Sequence, residues 1–234
     1  DEFEGKLLAQ ELADHLHDDR VIRISSSSKI TNLGWAVFAN KGFLSEYRRG
    51  KQVASLDLRN CKALQGSHNH QNACAAYAAV RTLGVRPRSV EKALKSFTGL
   101  AHRSQLVTKI SGVVFINDSK ATNVDSAMKS LETFPKVRWI CGGEQKEPDI
   151  SRLNNVLTNV KKAYVIGTNS ANFSSQISCE FEICNTMDVA VKKAFSEAKS
   201  GETVLLAPAA ASFDQYSSFE ERGMAFEHEI KKLM

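Results

Sequence analysis

From Gly99 onward the chain repeats a single rhythm, a short apolar run followed by a helical stretch, and few folds accommodate it. The strand candidates lie at Val113 to Ile116, Val137 to Cys141, Ala163 to Ile166, Glu180 to Ile183 and Thr203 to Ala207. Each has the length of a strand and is too short for a buried helix. Helical segments are predicted between them, at Val124 to Phe134, Ile150 to Leu157, Ser170 to Ile177 and Val189 to Ala198, with a last helix from Phe219 to Leu233. Apolar strands alternating with helices predict an α/β fold, a Rossmann-like domain whose mostly parallel sheet is flanked by helices.

Before Thr98 the pattern differs. A helix is expected from Phe3 to Leu16, with Leu7, Leu8, Leu12 and Leu16 on one face. Short alternating runs follow at Val21 to Ile24, Trp35 to Phe38, Phe43 to Tyr47 and Val53 to Leu56. Asn40-Lys41-Gly42 and Arg49-Gly50-Lys51 separate the later ones as hairpin turns. A helix of small residues is predicted from Asn69 to Leu83, and a second from a Ser89 cap to Phe97. The expected division is a mixed α/β part over residues 1–98 and a second domain over 99–234.

Composition removes several function classes. No apolar run nears the ~20 residues a membrane-spanning helix needs. The acidic start, Asp1, Glu2 and Glu4, is the wrong chemistry for a secretory signal, so a cytoplasmic protein is expected. The net charge of +5 is dispersed; its densest clusters, Arg48-Arg49-Gly50-Lys51 and Lys161-Lys162, are not interleaved with aromatics, which argues for solvated faces rather than a nucleic-acid groove. A mild positive balance also suits substrates that carry phosphates and carboxylates. The five cysteines are odd in number and without CxxC spacing, and His15, His17, His68 and His70 form no metal pattern.

Ligands of doubly wound sheets bind beyond the carboxyl ends of the strands, and three loops occupy that position here. Asn117-Asp118-Ser119-Lys120-Ala121-Thr122-Asn123 follows the first strand of the repeat and leads into a helix, whose amino terminus suits an anion. Lys120 can hold a phosphate or carboxylate oxygen, and Asp118 a ribose hydroxyl or a magnesium-bound water. An Asx turn with Thr122 or Asn123 as helix cap explains part of the same segment. Cys141-Gly142-Gly143-Glu144-Gln145-Lys146 lets backbone approach a ligand while Lys146 points back to it. Ala207 to Asp214 is a run of small residues in which Ser212 is free to donate; a tightly packed turn reads equally well. Upstream, Asn69 and Asn72 lie three apart on one helical face and can bracket a planar base. Arg103 follows the boundary and can stack on a base or reach a phosphate.

In this order the segments resemble the Mur ligases. Gly66, His68, Asn69 and Asn72 with the alanines after them are similar to the family's adenine-side motif. Gly99-Leu100-Ala101-His102-Arg103 resembles the sequence that begins its C-terminal domain. NDSKATN, Asn117 to Asn123, and APAAASFDQYSSFEERG, Ala207 to Gly223, are similar to the D-glutamate-adding branch. The resemblance runs from Gly66 to the end and is weaker before Leu64.

It implies ATP-dependent ligation of D-glutamate to UDP-N-acetylmuramoyl-L-alanine through an acyl phosphate, in peptidoglycan synthesis, by a monomer with no nucleic-acid or membrane partner. It also implies that Asn69, Asn72, Arg103 and Asp118 contact the adenine nucleotide, and that Lys120, Thr122, Lys146, Ser212 and Phe219 hold D-glutamate. Residues 1–98 would be the C-terminal part of a central ATPase domain, and 99–234 the glutamate-binding domain. One departure is large. No GxxxxGK[ST] phosphate loop occurs in the chain. The catalytic residues and the Mg2+ ligands are therefore expected outside it, and the chain is expected to be an inactive part of a longer enzyme. Other Mur ligases, a folylpolyglutamate synthase-like ligase, and a non-catalytic nucleotide-binding module are the alternatives. Lys120 argues against a diamino-acid adder, which would want an acidic pocket.

Overall fold

The computed structural model describes residues 21–31, 34–64 and 66–234; the helix expected from Phe3 to Leu16 lies outside them. Two compact units part between Thr98 and Gly99.

In the first unit four strands form one sheet in sequence order: β1 (Ile22–Ser25), β2 (Trp35–Asn40), β3 (Phe43–Arg48) and β4 (Lys51–Asp57). β1 pairs parallel with β2, and β2, β3 and β4 form an antiparallel meander. Both hairpin turns hold two successive residues at positive φ, Lys41-Gly42 and Arg49-Gly50, the backbone that matches the twist of the flanking strands. Helix α1 (Ser67–Thr82) packs Ala73, Cys74, Tyr77 and Ala78 into a core with Val37, Leu44 and Leu56. Helix α2 (Pro87–Ser96) begins two residues before the expected Ser89 cap. Arg86 is its N-cap, because Pro87 has its φ already set for the first helical turn and needs no N–H partner there.

Glu46 is fully buried beneath α1. Its Oε1 accepts from Arg48 at 2.9 Å, and its Oε2 accepts from the Tyr77 hydroxyl at 2.7 Å and from Arg81 at 2.9 Å. Burial pushes the carboxyl up, but the bonds from Arg81, Tyr77 and Arg48 outweigh it and hold Glu46 below the usual range. A depressed folded-state value places this stabilisation above the ordinary carboxylate range and removes it as pH falls through the lower folded value. Glu46→Gln should therefore cost about 1.5 kcal/mol in chemical denaturation at pH 7. The difference from the unaltered chain should shrink below about pH 4; a gap that stays constant down to pH 3 would contradict the charged network.

The second unit is a six-stranded sheet in the order β5-β6-β10-β7-β8-β9. Its strands are β5 (Gln105–Ile110), β6 (Val113–Asn117), β7 (Val137–Gly142), β8 (Val160–Ile166), β9 (Phe181–Asn185) and β10 (Thr203–Leu206). All five predicted strands are present and pair parallel. The added β5 joins β6 in an antiparallel hairpin at the edge, turned by Ser111 and Gly112 at positive φ.

Alternate side chains go to opposite faces. Val137, Trp139 and Cys141 of β7 meet α3 (Val124–Thr133), a 3-10 helix (Ser151–Asn159) and Phe173 of the short α4 (Ser170–Ser174). Ile140 of β7, Tyr164 and Ile166 of β8, and Leu206 of β10 meet α5 (Met187–Glu197) and α6 (Phe219–Lys231). Two predicted helices thus depart from expectation, one in its geometry and one in its length. Asn154, Asn155, Thr158 and Asn159 are weak helix formers and tighten into 3-10 geometry, while the serine-rich segment at Ser170 keeps little more than one turn. Among the described residues no helix is long and apolar enough to cross a membrane.

Candidate functional site

The strand order inserts β10 between β6 and β7, so the loops leaving these three strands lie side by side at their carboxyl ends. Asn117 ends β6 and is fully buried. Its amide donates to the Gly223 carbonyl at 3.1 Å and to Glu227 Oε1 at 2.9 Å, and lies 2.9 Å from His102 Nδ1; its oxygen accepts from the Ser119 N–H. Asn117 is therefore a structural tie, with no group left for a ligand. The turn that follows presents Lys120, whose N–H donates to the His102 carbonyl at 3.0 Å and whose ammonium stands 4.0 Å from the centre of the Phe219 ring. Phe219 is the first residue of α6, and its carbonyl accepts from the Ser119 hydroxyl at 2.8 Å.

The amino end of α3 is not an open anion site, contrary to the expectation from sequence. Asn123 is its cap, accepting from the Ser126 N–H at 2.9 Å, and Glu147 Oε1 accepts from the Val124 N–H at 3.1 Å. Protein side chains already fill the positions an anion would take. Thr122 is half-buried just before the cap.

The β7 and β10 loops cross closely. Gly142 and Gly143 hold φ of 100° and 129°, and a Cβ on either would strike backbone, the Ile166 carbonyl or the Ala211 carbonyl. Glu144 and Ala211 exchange two backbone hydrogen bonds, and the Ala209 N–H reaches the Ala121 carbonyl at 2.9 Å. All three loops are thus bonded to one another. Lys146 is exposed. Ser212 is buried, yet its hydroxyl makes no hydrogen bond among the described residues, so its donor is available.

Sequence reading passed over the residue that fastens this arrangement. Arg222, 1% exposed, comes from α6 and spans two loops. It donates to the Ser119 hydroxyl and carbonyl at 3.1 and 3.0 Å and to the Ala210 and Ala211 carbonyls at 3.0–3.1 Å. Burial pushes its guanidinium down to about 10, with Asp214 and Tyr216 offsetting part of the shift, so it stays charged at neutral pH. The only signal in the sequence is a long cation opposite a run of alanines, whose carbonyls nothing else on those short side chains can reach.

Among the residues expected at the nucleotide, Asp118 is buried. Burial pushes its carboxyl up, with Ser130, Ser104 and the charge of Arg103 offsetting part of the shift. The structure thus brings Arg103 and Asp118 into one electrostatic neighbourhood. Asn69, half-buried, and Asn72, exposed, lie one turn apart on α1 in the first unit.

Residues 102–210 match the family described as Mur ligase, glutamate ligase domain. Over the whole chain the sequence is 57% identical to UDP-N-acetylmuramoylalanine--D-glutamate ligase of Ruegeria pomeroyi and 58% identical to the protein of the same name from Roseobacter denitrificans. The MurF ligase of Thermotoga maritima in complex with ADP superposes with a TM-score of 0.61, covering 90% of this chain and 49% of that one at 16% identity. E. coli FolC in complex with DHPP and ADP gives 0.60, covering 86% and 47% at 19% identity. At such identities these two show the fold alone. The chain belongs to the Mur ligase family. Its relatives at 57–58% identity are named as D-glutamate ligases, and it spans about half the length of each.

Proposed function

We propose that this chain supplies the amino-acid-binding part of a cytoplasmic, monomeric ligase that joins D-glutamate to UDP-N-acetylmuramoyl-L-alanine in peptidoglycan synthesis, using ATP. One observation carries the reading: three mutually bonded loops at adjacent strand ends display Lys120 and Lys146 together with the unpaired Ser212 hydroxyl. D-glutamate brings two carboxylates, and two ammonium groups with a neutral donor match that charge. Thr122 and Phe219 complete the pocket, with Phe219 holding the Lys120 ammonium over its ring face. In this reading residues 1–98 end an ATP-binding domain and 99–234 form the glutamate-binding domain.

Asn69, Asn72, Arg103 and Asp118 are assigned to the adenosine part of ATP. Two amides and a guanidinium suit a planar base, and a carboxylate suits ribose hydroxyls. The phosphates and Mg2+ are assigned to residues outside this chain; among the described residues no cluster of three or more His, Cys, Asp or Glu side chains is placed to hold a metal ion. Transfer of the ATP γ-phosphate to the substrate carboxylate gives an acyl phosphate. The D-glutamate amine then attacks its carbonyl carbon, and inorganic phosphate leaves. Fixing the amine's position is what these loops contribute, and positioning accounts for much of the rate in such reactions.

The full-length ligase containing this chain tests the proposal. With ATP and UDP-N-acetylmuramoyl-L-alanine, release of phosphate should require D-glutamate and stay at background with L-lysine, meso-diaminopimelate or a folate acceptor. Turnover with any of these in place of D-glutamate would overturn the substrate assignment.

A further inference from the structure

Lys146 is presented by a loop fastened on both sides of it. Ahead of it, Glu144 and Ala211 exchange backbone hydrogen bonds of 3.0 and 2.8 Å, and Gln145 accepts from the Asn172 amide at 3.0 Å. Gln145 also donates to the Glu147 carbonyl at 2.6 Å, closing the loop over Lys146. Behind it, Glu147 Oε1 accepts from the Val124 N–H at 3.1 Å, the first residue of α3. That helix follows the segment carrying Lys120 and Thr122, so this one contact joins the two lysine-bearing loops. Glu147 is also the chain neighbour of Lys146, a natural partner for its ammonium. Its carboxylate is instead committed to the positive end of a helix, where a negative charge is stabilised.

We propose that Glu147 is a positioning residue for the amino-acid substrate. It anchors the Lys146 loop to α3, fixing Lys146 relative to Lys120, and keeps its own carboxylate away from Lys146, whose charge is left for a substrate carboxylate. This rests on the assignment of D-glutamate to these loops. The anchor needs an acceptor and not a charge, so a glutamine serves in its place.

The test is steady-state kinetics of the full-length ligase with Glu147→Ala, Glu147→Gln, Lys146→Ala and the double variant Glu147→Ala/Lys146→Ala. Losing one helix-end hydrogen bond of ordinary strength should raise KM for D-glutamate about fivefold in Glu147→Ala. The kcat and the KM for ATP should stay within about twofold. Glu147→Gln should restore KM, and Glu147→Ala should add little once Lys146 is already alanine. A thermal midpoint for each variant confirms that the protein remains folded. An unchanged KM in Glu147→Ala beside a raised KM in Lys146→Ala would overturn the anchor alone, as would a Glu147→Gln variant as impaired as alanine or effects that multiply in the double variant. A Lys146→Ala variant with normal D-glutamate use would overturn the assignment of Lys146 itself, and the anchor with it.

Discussion

Arg222→Ala should lower the unfolding free energy of the chain by about 3–5 kcal/mol, the range expected when a buried charged group is removed and its partners are left unpaired. The guanidinium makes five hydrogen bonds, two to Ser119 and three to the Ala210 and Ala211 carbonyls. The Ala211 carbonyl keeps a second donor in Glu144, but among the described residues no other donor reaches the Ala210 carbonyl or the Ser119 carbonyl. Each buried carbonyl left without a partner costs roughly 1–3 kcal/mol, and the lost side-chain volume adds a cavity. A thermal midpoint lower by on the order of 10 °C is the expected reading. Arg222→Lys should recover less than half of the loss, because an ammonium is a point donor and cannot span both loops as the planar fork does. A midpoint shift within about 1 °C for Arg222→Ala would mean that the loops hold their shape without it.

Arg222 also marks where sequence reasoning stopped. In Phe219-Glu220-Glu221-Arg222-Gly223 an arginine beside two glutamates reads as the solvated face of a helix, and only the tertiary structure turns it inward. The strands were legible for the opposite reason. Val137 to Cys141 and Thr203 to Ala207 are mostly apolar, as burial on both faces demands, and the structure buries every residue of them but Arg138. β5 escaped notice because Gln105–Ile110 lies at the edge with Leu106 and Lys109 exposed, so its composition carries no inward pattern. The loop Asn117 to Asn123 was legible as a chemical cluster but not in its division of labour. Asn117 and Asn123 are consumed by structure, as a strand-end tie and a helix cap, while Lys120 faces the phenyl ring of Phe219. Which polar residue is spent internally depends on partners more than a hundred residues away, such as Glu227 for Asn117, and local spacing does not reveal them.

That division makes Lys120 the sharpest test of the substrate reading. In the full-length ligase, Lys120→Ala removes one charge-assisted hydrogen bond to a D-glutamate carboxylate, worth roughly 1.5–3 kcal/mol. At ~1.4 kcal/mol per factor of ten, use of D-glutamate should weaken about ten- to a hundredfold in kcat/KM. The turn itself should survive, because its bonds to His102 and Asp118 run through backbone atoms of Lys120 and Ala121, which alanine retains. The KM for ATP should change by less than about threefold, since Lys120 is assigned no contact with the nucleotide. Ser212→Ala should weaken D-glutamate use in the same direction but less, about two- to tenfold, because it removes a neutral donor. Asp118→Ala should instead act on ATP, and because the side chain is buried, some loss of stability is part of the same result. Neighbours two positions apart would then separate by kinetics, one moving the amino-acid dependence and the other the nucleotide dependence. If Lys120→Ala left D-glutamate kinetics unaltered in a folded enzyme, the ammonium over Phe219 would be a packing contact, and the pocket would have to be sought around Lys146 and Ser212 alone.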